Sequence, residues 1–153
     1  MMKKSSVFFW IAGLFLFWGC ETKIPHYEEV LVEVKPHSEK ERQLIKNFVE
    51  YWHIRIKGKP KEALQYELPY QKYIDGWKGY KAKVVPLNKD TKIVLKSIEY
   101  PHPDVAIVTR KIILNENRSW IKNDKWIYVE GKWYHKYYQN ILPPLNEEDA
   151  RFQ

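Results

Sequence analysis

The chain has 153 residues, 44% of them hydrophobic and 29% charged, which fits one globular domain and excludes an intrinsically disordered chain. The net charge is +7; past the first 19 residues it falls to 24 basic against 19 acidic side chains, a mild excess of scattered lysines with no nucleic-acid-binding motif, so nucleic acid is excluded as the partner class. A single cysteine cannot close an internal disulfide, and the fold must be held by packing, to which an aromatic content of 16% contributes large buried surfaces.

The first element is a leader. Residues 1–6 are short and basic, residues 7–18 are apolar throughout, and Gly19-Cys20 follows. The apolar run is too short to cross a hydrocarbon core, which takes about 20 residues. A charged start, an apolar middle and a small residue form the pattern of a secretory signal. Ending in Gly-Cys, this stretch resembles the bacterial lipoprotein signal, although Phe17 and Trp18 stand where that family prefers leucine and a small residue. The resemblance implies a signal peptide over 1–19, cleaved before Cys20, and a diacylglyceryl group on the Cys20 thiol. Each buried CH₂ adds about 0.8 kcal/mol, so two or three acyl chains hold a protein on a bilayer where one does not. Residue 21 is Glu and not Asp, which under the lipoprotein sorting rule favours the outer membrane.

Residues 20–37 read as a tether punctuated by Pro25 and Pro36, in which VLVEV (30–34) alternates and can add a short edge strand. Ser38 followed by Glu41 has the form of a capping box, and Leu44, Ile45, Phe48, Val49, Trp52 and Ile56 recur at helical spacing, so a helix is expected over 39–57, stopped by Gly58 and Pro60. Pro60 can open a second short helix over KEALQYE, and YQKYIDGW (70–77) suggests a third, closed by Gly76 and Gly79. Strands are expected at KAKVVPL (81–87), TKIVLKSIEY (91–100), VAIVTRKIIL (105–114), KWIYVE (125–130) and KWYHKYY (132–138). A two-residue turn at Glu130-Gly131 would set Tyr128 opposite Trp133 and Trp126 opposite His135. Residues 141–153 read as a loose tail.

This order implies an α+β domain over 38–140: a long N-terminal helix and short helices packed on a curved antiparallel sheet of four to five strands. The stretches FVEYWHIRIKGKPKEALQYE (48–67) and KWIYVEGKWYH (125–135) resemble the nuclear transport factor two-like superfamily, the SnoaL-like or cystatin-like cone fold. Enzymes of that superfamily use an Asp or His inside the cone, and the resemblance makes His53, Asp75 and His135 the catalytic candidates. No nucleophile elbow, phosphate loop or metal-ligand spacing occurs, so no cofactor and no metal are expected. The aromatic residues Trp52, Tyr66, Trp126, Tyr128 and Trp133 either fill the core or line a pocket for an apolar ligand. The leading expectation is a non-enzymatic, lipid-anchored envelope module that binds a small apolar ligand or an envelope protein, with homodimers formed through the sheet. The alternatives are a small isomerase or hydratase of the same fold and a structural subunit of an envelope complex.

Overall fold

The computed structural model describes residues 21–136, so the leader, Cys20 with its expected lipid, and the tail all lie outside the described residues. Strand β1 (Val30–Val32) is followed by helices α1 (Glu39–Ile56) and α2 (Pro60–Ala63), a 3₁₀ turn (Leu64–Tyr66) and helix α3 (Pro69–Lys83). Then come β2 (Lys92–His102), β3 (Val105–Asn115), β4 (Arg118–Val129) and β5 (Lys132–Lys136). The five strands form one curled sheet in the order β1-β2-β3-β4-β5.

The class is α+β, with two departures from the expected architecture. The sheet is mixed and not antiparallel: β1 runs parallel to β2, pairing Val30 with Ile93 and Val32 with Leu95. The connection from β1 to β2 passes through all three helices, and such a crossover is what a parallel pair needs. β1 also precedes α1, so the helix is not the N-terminal element of the domain.

KAKVVPL is not a strand. Helix α3 runs on to Lys83, and Val84–Leu87 passes on without pairing, with Val85 72% exposed. The β-branched pair Val84-Val85 mimics a strand signal, but the edge of β2 that could receive it is taken by β1. Inside α3, Gly76 adopts φ 57°, ψ −170° and splits the helix into two pieces. That conformation is open to glycine because it has no Cβ.

Helix α1 starts as its sequence dictates. Ser38 Oγ accepts the Glu41 N–H at 3.1 Å, while the Glu41 carboxylate reaches back to the N–H of His37 at 2.7 Å, one residue before the usual capping-box donor. The stripe Leu44, Ile45, Phe48, Val49, Trp52 and Ile56 is buried and forms the core with Ile93, Leu95, Ala106, Val108, Trp126 and Trp133 of the sheet. The last hairpin has the expected register, Tyr128 opposite Trp133 and Trp126 opposite His135. Its turn residues Glu130 (φ 48°) and Gly131 (φ 83°) both have positive φ, the geometry that matches the twist of the flanking strands. Residues 21–34 lie along the domain. Ile24, Tyr27, Val32 and Val34 pack against the core, Arg42 pairs with Glu21, and Glu39 accepts from Thr22.

Candidate functional site

Strand alternation places the polar groups of the site. On β3 the residues Ala106, Val108, Arg110 and Ile112 share one face, and Val108 stands opposite Asp124 on β4. Asp124 therefore shares the face of Trp126, whose β5 partner is His135. Helix α1 brings Tyr51, Trp52 and Arg55 over this face, and the bend between the 3₁₀ turn and α3 delivers Glu67 beside β5, with Leu68 N–H bonded to the His135 carbonyl.

These side chains form a buried ion cluster. Arg110 Nε donates to both carboxylate oxygens of Asp124 at 2.8 Å, and Trp52 Nε1 donates to Asp124 Oδ2 at 3.0 Å. The Arg110 guanidinium lies over the Trp52 ring, 4.1 Å from its centre. His135 Nδ1 is 2.9 Å from Glu67 Oε2, and its Nε2 is 3.9 Å from Asp124 Oδ1. Glu67 is fully buried; Asp124 and His135 are nearly so. Burial opposes the charge on His135, but Glu67 and Asp124 outweigh it and hold the imidazole up at about 9. Burial likewise opposes the Asp124 charge, and His135 and Arg110 reverse that, so its carboxyl sits below the usual range. Burial next to the Glu67 carboxylate pushes the Tyr51 hydroxyl well up.

Beside the cluster opens a cavity of about 630 Å³, within the range of small-molecule sites. Its polar wall includes Arg55, Arg110, Asp124, His135, Lys136 and Thr91. Leu87, Ile112, Leu114 and Trp120 supply an apolar wall, and Lys83 and Lys122 also border the space.

The structure separates the residues singled out from sequence. His135 and Trp52 line the cavity together. His53 lies elsewhere on α1, stacked on Tyr27 at 3.6 Å and bonded to Glu29 at 2.6 Å. Asp75 belongs to α3 and pairs with Lys83 at 2.8 Å. Trp126 is a core residue with its ring 5.2 Å from that of His135. Tyr66 donates to Glu50, and Tyr128 and Trp133 pack on each other near Lys40. Sequence reasoning passed over Arg55, Glu67, Arg110 and Asp124. The parity of β3 was available for Arg110, since Val108 and Ile112 flank it two residues away on the core face. Asp124 was missed because the strand was expected to begin one residue later, at Lys125.

The pairing of His135 gives a pH dependence with a definite sign. A histidine raised from about 6.5 to about 9 contributes stability that is complete below pH 6.5 and is lost as pH rises toward 9. Burial and the neighbouring Lys125 push Lys136 down to about 8, an effect of opposite sign that sets in only above that pH. Between pH 6.5 and 8 the unfolding free energy should therefore fall by an amount of the order of 2 kcal/mol. Urea unfolding followed across that window checks this, and His135→Gln should flatten the slope.

Among the described residues no group of three His, Cys, Asp or Glu side chains is placed to hold a metal ion, and no helix is long and apolar enough to cross a membrane. No protein-family model, curated protein or solved structure matches the chain.

Proposed function

We propose that this chain is a lipid-anchored envelope module of the cone fold that binds a small molecule in the cavity beside its ion cluster. The Gly19-Cys20 leader supports the anchor, and the curled sheet with helices packed on it is consistent with a cone. The observation that carries the binding reading is an open cavity whose acid-base candidates, Asp124 and His135, are already committed to internal pairs. Asp124 accepts from Arg110 and Trp52, and His135 is held by Glu67. A general acid or base works best with a pKa near the operating pH, and this pair is driven away from neutrality in opposite directions.

The test uses the full chain purified in a non-ionic detergent and titrated with octanamide, a neutral probe. Saturable shifts of the Trp52 and Trp120 indole NMR signals, with that of Trp133 unmoved, are expected. The binding reading is removed if the Trp52 and Trp120 signals stay in place with octanamide and also with its charged analogue octanoate. For the anchor, Cys20→Ala should move the protein from the membrane fraction to a soluble or unprocessed pool; unchanged fractionation rejects lipidation.

A second reading, a small isomerase or hydratase, is favoured by the convergence of His135 and Asp124 on one open cavity. It requires His135, and not His53 or Asp75, to exchange a proton near neutral pH. An NMR titration midpoint for His135 near 7 supports that enzyme, and a midpoint near 9 opposes it.

A further inference from the structure

The charges around the cavity do not balance. Four basic groups, Arg55, Arg110, His135 and Lys136, stand on its polar wall, and two carboxylates, Asp124 and Glu67, face them. Arg110 is paired with Asp124, and His135 with Glu67. Arg55 is 8% exposed and has no carboxylate partner among the described residues. Its NH1 donates to the Tyr51 hydroxyl at 2.9 Å and its NH2 to the Val85 carbonyl at 2.7 Å, both neutral acceptors. A buried guanidinium without a counter-charge is costly, because the interior screens it far less than water does.

Three more donors on the same wall point the same way. Arg110 NH1, the Thr91 hydroxyl and the Lys136 Nζ are buried, and none has a hydrogen-bond partner among the described residues. Thr91 itself is fully buried. Buried donors are nearly always paired, so unpaired ones lining an open cavity are groups that a ligand would satisfy. On the other side, Leu87, Ile112, Leu114 and Trp120 offer no polar side-chain acceptor and suit a hydrocarbon or ring.

Resting on the binding reading above, we propose that the cavity takes an organic anion, its acidic head on Arg55 and Arg110 and its apolar body along Leu114 and Trp120. A negative charge there offsets the excess of basic groups on the wall, Arg55 and Lys136, that have no carboxylate of their own among the described residues. Arg55 and Arg110 can each add charge-assisted hydrogen bonds to an oxyanion, and such bonds are roughly twice as strong as neutral ones. Lys122, which also borders the space, adds a field of the sign that draws an anion in.

The experiment compares octanoate with octanamide, which share size and shape and differ in charge. Both are titrated into the full chain in the same non-ionic detergent, with the Trp52 and Trp120 indole signals as reporters. Octanoate is expected to bind about tenfold more tightly than octanamide. Arg55→Met should bring the two affinities to within about twofold of each other, and Arg55→Lys should restore a preference for the acid. Equal affinities in the unaltered protein overturn the anion proposal and leave the binding reading standing. Failure of both probes to bind overturns both. The unaltered protein alone decides between these outcomes, so the result does not depend on how well the variants fold.

Discussion

Replacing Asp124 with alanine is expected to lower the unfolding free energy by about 3–5 kcal/mol, the cost of leaving a buried cation without its partner. The carboxylate serves three groups at once: Arg110 through both oxygens, the Trp52 indole N–H, and the imidazole of His135. Alanine strands all three. Asp124→Asn keeps an acceptor for Trp52 but removes the charge, so its loss should be intermediate. Trp52→Phe removes one bond to the carboxylate and should cost about 1.5–3 kcal/mol, the usual worth of a hydrogen bond to a charged group. Urea midpoints measured at pH 6.5, where His135 is charged, rank the three. A cost for Asp124→Ala below that of Trp52→Phe would show that the cluster does not act as a unit.

The second large effect belongs to Trp126. Its side chain is fully buried where α1 meets the sheet, with the rings of Tyr51 at 5.9 Å and Phe48 at 6.4 Å. Trp126→Ala opens a cavity there and should cost about 3–5 kcal/mol. Trp126→Phe should cost far less, because the indole N–H has no hydrogen-bond partner among the described residues and its removal leaves no acceptor unsatisfied. The contrast with Trp52→Phe is diagnostic. Two tryptophans of the same core differ in whether their N–H is used, and the two phenylalanine variants should differ accordingly in urea midpoint.

Local signals located the elements whose physics is local. The helical stripe from Leu44 to Ile56 and the cap at Ser38 are short-range features, and α1 runs from Glu39 to Ile56. The register of the last hairpin follows from two turn residues able to take positive φ, Glu130 and Gly131. The misreadings are at positions decided by distant partners. Val84–Leu87 has strand-like residues, but whether they pair depends on which segment occupies the edge of β2, and that segment lies far earlier in the chain, at Val30–Val32. The site was legible only in part for the same reason. His135 and Trp52 stood out by residue type. Glu67 becomes a site residue because a bend before α3 lays it beside β5, and no spacing in the chain announces that meeting. Arg55 sits at the C-terminal end of α1, where any cation is favourable to the dipole, and its bond to the Val85 carbonyl depends on the path of 84–88, which no local signal gives.

Strand β1 is the first element of the described chain, and its ladder with β2 is extended at both ends, where the Glu29 carbonyl accepts from Ile93 N–H and Glu33 N–H donates to the Leu95 carbonyl. If the front of the chain is moored to a bilayer, tension in the mooring line reaches β1 before any other strand. That load meets a short zip of backbone bonds at the sheet margin, several strands away from Asp124 and His135. A tug on the anchor should therefore peel the margin first and leave the ion cluster seated.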